Sequence, residues 1–258
     1  MRPAAVAGTF YPASPAVLRS TVERALNEAR PAGGAPKALI APHAGYAYSG
    51  PVAASAYARV LAARGRITRV VLLGPAHRVP VAAVAAASAE GFATPLGLVP
   101  VDTEARDALA EAGLVVVSDE AHRREHSLEV HLPFLQVALG DVAVLPLAVG
   151  HVAPDQVAVV LDQAWGGPET LVVVSTDLSH YYDQATAAEL DRRTAAAIVD
   201  KRPDRLGPGD ACGVVALEGL LLAAAARGLD VELLDLRTSA DTAGDPDRVV
   251  GYGAFALA

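Results

Sequence analysis

The chain has 258 residues, is 52% hydrophobic but only 5% aromatic, and carries 29 acidic against 21 basic residues for a net charge of −8. So acidic a surface disfavours nucleic acid and anionic membranes as partners. No run reaches the roughly 18 apolar residues of a membrane span, and the single cysteine, Cys212, rules out an intrachain disulfide.

Taken in chain order, Pro15 to Ala29 places Leu18, Val22 and Leu26 at helical spacing. The segment Arg30 to Pro36 (RPAGGAP) is a Pro/Gly loop too short to divide domains, and a strand is expected over Lys37–Ala41. A helix over Val52–Ala63 leads to a strand over Arg69–Leu73, and Val81–Ala87 has the composition of another strand. Gly91–Val101 is expected to be a hairpin turning near Pro95-Leu96-Gly97. Thr103 is expected to cap a helix that ends at Gly113, with a short strand over Leu114–Val117. Ser127 to Leu139 is expected to be helical, with Pro133 in its first turns or at a kink. A strand over Val142–Val149, a helix over Pro154–Trp165 and a strand over Thr170–Ser175 follow. Helices over Ala185–Val199 and Gly213–Arg227 precede strands over Val231–Leu236 and Val249–Ala256. This alternation predicts one α/β domain spanning residues 1–258, with a mostly parallel central sheet and helices on both faces. The opening segment lacks the apolar core of a secretory signal, so a cytoplasmic location is expected.

One pattern occurs three times. The apolar runs Ala38–Ala41, Val70–Leu73 and Leu171–Val174 each stop abruptly, and His43, His77 and His180 stand just beyond them. Such runs read as strands buried on both faces. Ligands of open α/β sheets bind beyond the carboxyl ends of such strands. A lone histidine at such a place is usually structural, whereas two on neighbouring strands suggest a shared ligand pair. Cys212 is expected where a helix begins, a position that favours the thiolate, although a free cysteine is commonly just a small buried hydrophobe. Asp177, three residues before His180, is a candidate to orient that imidazole as a general base, or else simply to cap a turn.

In Glu125-His126-Ser127-Leu128-Glu129-Val130-His131, the two histidines are five apart, so the zincin spacing is absent. His122 is expected to be solvated, and His151 to serve a loop. No Walker lysine, dinucleotide-binding glycine fingerprint or G-x-S-x-G elbow occurs.

Ala7-Gly8-Thr9-Phe10-Tyr11-Pro12, Ala41-Pro42-His43-Ala44-Gly45-Tyr46, Gly74-Pro75-Ala76-His77, the Glu125–Phe134 segment, Ser175-Thr176-Asp177-Leu178-Ser179-His180 and Cys212-Gly213 occur in this order. Together they resemble the Memo family, called AmmeMemoRadiSam system protein B in prokaryotes. The resemblance implies a fold similar to class III extradiol dioxygenases, whose non-haem iron is held by two histidines and a glutamate. It implies that His43, His77 and Cys212 hold the metal, with cysteine in the glutamate's place. His180 would be the catalytic base with Asp177 beside it, and His126 would border the pocket. Thiolate is softer than carboxylate and leans towards copper or zinc. Iron(II) nevertheless comes first, with copper close behind and zinc a third choice. The resemblance also points to radical-SAM and AMMECR-type proteins as system partners.

The leading expectation is therefore a metal-dependent oxidoreductase of dioxygenase type acting on a small phenolic or enolic substrate, with Tyr46, Tyr48 or Tyr181 lining the cavity. Two alternatives stand beside it: a non-catalytic module binding a peptide or small ligand in the same crevice, and a thiol hydrolase using Cys212, His180 and Asp177.

Overall fold

The computed structural model describes residues 1–30 and 33–258. Helix α1 (Pro15–Glu28) buries Leu18, Val22 and Leu26, as its spacing requires. The loop expected at Arg30 to Pro36 lies partly outside the described residues. Strand β1 (Ala38–Ala41) is wholly buried. Helix α2 (Tyr46–Tyr57) starts six residues before the expected Val52, because Gly45 serves as its N-cap, and Pro51 lies inside it. A tighter 3-10 turn over Ala58–Ala63 prolongs it. Strand β2 (Arg69–Pro75) follows, then a short β3 (Val84–Ala86) in place of the longer strand expected there.

The hairpin of β4 (Gly91–Thr94) and β5 (Gly97–Pro100) turns where expected. Helix α3 (Thr103–Glu111) is capped by Asp102, whose carboxylate accepts from Ala105 N, and not by Thr103. Strand β6 (Val116–Val117) and a short α4 (Asp119–Arg123), capped by Ser118, come next. The helix expected from Ser127 begins later. A 3-10 turn over Glu129–His131 runs into α5 (Leu132–Ala138), with Pro133 in its first turn. Strand β7 (Ala143–Val149), α6 (Pro154–Ala164) and β8 (Thr170–Ser175) match their sequence signals. A three-residue strand, β9 (His180–Tyr182), carries no sequence signal: two of its residues are exposed, and it is too short to alternate. Helices α7 (Gln184–Val199) and α8 (Val214–Ala226) and strands β10 (Val231–Thr238) and β11 (Val249–Leu257) complete the chain.

The main sheet has the order β10-β11-β1-β8-β2-β7-β3-β6, and β9 pairs with β11. Its centre, β1-β8-β2-β7, is parallel throughout, while β11 and β3 run antiparallel to their inner neighbours. Alternate strand residues feed two cores. Leu39, Val70, Leu72, Val144, Leu171 and Val173 pack on the face covered by α1, α2 and α5. Ile40, Val71, Leu73, Leu145, Val172 and Val174 pack on the face covered by α6 and α8. The result is a single α/β domain with a mostly parallel mixed sheet between helical layers. Among the described residues no helix is long and apolar enough to cross a membrane.

Candidate metal centre

Strands β1, β8 and β2 are neighbours, and each delivers its carboxyl end to the same edge. Residues just past these ends therefore meet whatever their separation in sequence. His43 follows β1, Asp177 follows β8 and His77 follows β2. The Glu125–Ser127 segment closes over them, with Ser127 Oγ donating to Pro75 O at 2.8 Å. That docking explains Gly74, since a Cβ there would come within 2.9 Å of the Ser127 hydroxyl.

His43 is buried, and its Nδ1 lies 2.6 Å from Ser175 Oγ. The serine hydroxyl has one proton, which it donates to Ser127 O at 2.6 Å. It therefore accepts from His43, so Nδ1 carries the imidazole proton and Nε2 presents a lone pair. His77 is fixed in the same tautomer by a carboxylate: Glu125 accepts from His77 Nδ1 at 3.1 Å and from His77 N at 2.6 Å. Glu125 also accepts from the backbone of His126 and Ser127, each at 2.9 Å. Burial opposes its charge, yet the hydrogen bonds from His77 and Ser127 hold its carboxyl down at about 2. A carboxylate that orients a histidine in this way raises its basicity as a ligand.

His126 stacks on His77 with ring centroids 4.9 Å apart and meets His43 edge-on at 5.5 Å. Its other neighbour is the Phe10 ring at 4.6 Å. One nitrogen from each of His43, His77 and His126 lies within 4.8 Å of the others, so this group could hold a metal ion. Burial drives His43 well below the usual imidazole range, and drives His126 down to about 4. Both are thus neutral at pH 7, the form that binds a cation.

Cys212 approaches His43 from the loop before α8, with Sγ 3.4 Å from His43 Nε2, but the set whose ligand atoms all lie within 4.8 Å of one another is His43, His77 and His126, without Cys212. The sulfur also accepts from Asp177 N at 3.3 Å. Of the two readings left open for Cys212, the structure favours the buried protonated thiol over the thiolate. Burial, and then the Asp177 carboxylate, push the thiol up to about 12, against the hydrogen bonds from Asp177 N and Thr176. A correction concerns Asp177. Its carboxylate accepts from His43 N at 2.8 Å, and His180 donates from Nδ1 to the Leu178 carbonyl at 2.7 Å, so Leu178 and not Asp177 orients His180. Asp177 is itself pushed up to about 7 by burial, against the bonds from His43 and Ala44. His180 is lowered by burial, against the hydrogen bond to the Leu178 carbonyl.

The tyrosines are dispersed. Tyr46 is buried, donates to Val130 O at 2.6 Å, and lines a cavity beside Phe10 and Phe134 that touches none of His43, His77 or Cys212. Tyr48 and Tyr181 are exposed; Tyr181 has φ of 68° and lies under the Arg248 guanidinium. His122 is buried, not solvated, with Nε2 against Ala85 O at 2.9 Å. His131 is buried against the Tyr57 hydroxyl at 2.8 Å. Sequence reasoning missed Ser175 and Glu125 as orienting groups. A polar residue closing an apolar strand, and an acid directly before a histidine, were the available signals.

A family model described as Memo-like protein matches residues 2–256. A MEMO1 family protein of Methanopyrus kandleri is 36% identical over 281 residues, covering 98% of each chain. Another, from Methanococcoides burtonii, is 37% identical over 269 residues and covers 99% of each. The crystal structure of an uncharacterized protein from Escherichia coli K12 shares the fold, with a TM-score of 0.53 at 14% identity over 84% of this chain and 98% of that one.

Proposed function

The chain belongs to the Memo family, and from that footing we propose that it is a metal-dependent oxidoreductase of dioxygenase type acting on a small phenolic or enolic substrate. The observation that carries this reading is the convergence of three imidazoles, two of them with Nδ1 committed to a hydrogen bond, at the carboxyl edge of the sheet.

In this proposal His43, His77 and Cys212 hold the ion. The donors suit a cation. A tetrahedral site with bonds of ~2.0–2.3 Å separates nitrogen and sulfur by about 3.5 Å, and Cys212 Sγ stands 3.4 Å from His43 Nε2. The positive charge would also relieve the burial and the Asp177 repulsion that keep this thiol protonated. His126 is the competing third donor, since it groups with both histidines. Iron(II) is the proposed ion, with copper and zinc as the alternatives. When bound, the ion would supply Lewis acidity and redox chemistry.

The protein's own groups do the rest. His180, with Nδ1 committed to the Leu178 carbonyl, keeps Nε2 free to accept a proton from a substrate hydroxyl. Burial lowers its proton affinity, so it is neutral and ready as a base at pH 7. Such help is worth roughly 10²–10⁴-fold. Asp177 acts on the backbone, holding the turn that presents His43. The raised thiol speaks against the hydrolase reading, which needs Cys212 as a nucleophilic thiolate.

The test is oxygen uptake by iron-loaded protein offered a panel of catechols. Uptake that chelation abolishes, and that His180→Ala lowers at least about 100-fold at unchanged iron content, supports the proposal. Uptake indifferent to both overturns it, and tight ligand binding indifferent to chelation, without uptake, makes the chain a binding module instead.

A further inference from the structure

A cavity of about 320 Å³ opens against the metal centre from one side only, touching His77 and Cys212 but neither His43, His126 nor His180. It lies between the carboxyl ends of β2 and β7 and the start of α8, and its walls are chiefly Val81, Val149, Ala211 and Val215. Among the described residues no Asp, Glu, Lys or Arg side chain lines it. The one polar side chain at its wall besides His77 and Cys212 is His151, which is exposed. A larger cavity of about 530 Å³ elsewhere carries Arg24 and Glu28 and reaches none of the proposed ligands.

We infer that this apolar cavity is the binding pocket for the body of the substrate, and that the substrate is a small neutral molecule whose hydroxyl-bearing end extends out of the cavity past His77 and Cys212 into the metal centre while an uncharged hydrocarbon portion lies among the valines. The inference rests on the reading above for what happens at the hydroxyl end, and on the cavity alone for the body. The volume is at the low end of those that enclose small-molecule ligands and far below anything that would receive a folded partner. A carboxylate on the substrate body would be buried here without a counter-charge, which is strongly unfavourable. An alkyl group of the same size gains by leaving water. Val215 and Val81 are thereby specificity-determining positions, and His151 is the polar contact at the rim.

Calorimetric titration with matched probes tests this in metal-free protein (4-tert-butylphenol against 4-hydroxybenzoate) and in anaerobic iron-loaded protein (4-tert-butylcatechol against 3,4-dihydroxybenzoate). The butyl compound is expected to bind about tenfold or more tightly in each pair. Val215→Arg should narrow or reverse that preference, and Val81→Phe, which fills the cavity from a loop, should weaken the butyl probes without lowering iron content. Equal or tighter binding of the carboxylates by wild type overturns the inference, as do folded variants with unchanged affinities. Protein that ranks the phenols as stated but takes up no iron refutes the metal reading and leaves the pocket standing. Protein that holds iron but ranks neither pair refutes the pocket alone.

Discussion

Replacing Ser175 by alanine removes one oxygen from the centre of the orienting network. In the native protein that oxygen accepts from His43 Nδ1 and donates to Ser127 O, both at 2.6 Å, in a place where Ser175 is 0% and His43 2% exposed. Alanine leaves a buried donor and a buried acceptor without partners. Each such loss costs about 1–3 kcal/mol, so the metal-free protein should lose roughly 2–6 kcal/mol of stability in urea unfolding. The imidazole is also released from its tautomer and orientation, and comparable losses behind a metal-bound histidine weaken binding about 10–100-fold. That corresponds to about 1.4–2.7 kcal/mol. Competition between the protein and a calibrated chelator for zinc or iron(II), run on wild type and Ser175→Ala, measures this directly. A folded Ser175→Ala that binds the ion as tightly as wild type would refute the reasoning, because His43 would then need no orientation or would not be a ligand.

Glu125→Gln keeps the shape of the side chain but removes the charge that His77 faces. Metal affinity should drop by a similar 10–100-fold, and chelator competition showing none would detach Glu125 from the site. Arg2 pairs with Glu129, which is 0% exposed and also accepts from Ala5 N, Val6 N and the Tyr11 hydroxyl. Arg2→Met should cost about 3–5 kcal/mol, and the joint replacement Arg2→Met with Glu129→Met less than the single one; equal or additive losses in urea would argue against an uncompensated charge as the cause. Burial depresses His122 to about 4 and His131 to about 3, against about 6.5 in the unfolded chain. For these two groups the unfolded state takes up protons first, so the stability they give at pH 7 should be lost as pH drops below 6.5; Asp177, pushed up to about 7, acts in the opposite sense over the same range and offsets part of that loss, leaving a net fall of a few kcal/mol near pH 4. A urea midpoint that is flat between pH 6.5 and 5, above the carboxylate range, would contradict this.

The parallel centre of the sheet was legible because β1, β2 and β8 are buried on both faces and so read as unbroken apolar runs. Their ends single out His43 and His77 in the sequence alone. What escaped depends on partners distant in sequence. Asp177 accepts from the backbone of a residue 134 positions away, a contact no local pattern encodes, whereas its closeness to His180 in sequence was an attractive false lead. His126, expected at the pocket from the family resemblance alone, joins the imidazole group from a loop docked on Gly74, where helical spacing gives no sign of it. The start of α8 spoke for a thiolate at Cys212 and its small apolar character for a buried thiol, and only the burial and the Asp177 carboxylate seen in the fold decide between them. The onset of α2 was missed because Tyr46–Pro51 has neither apolar periodicity nor a side-chain cap.

Metal content bears most directly on the central claim, measured on anaerobically purified protein saturated with iron(II) and desalted. The account predicts close to one ion per wild-type chain, little in His43→Ala or Cys212→Ser, and near wild-type content in His126→Ala. Wild-type content in both His43→Ala and Cys212→Ser would contradict it.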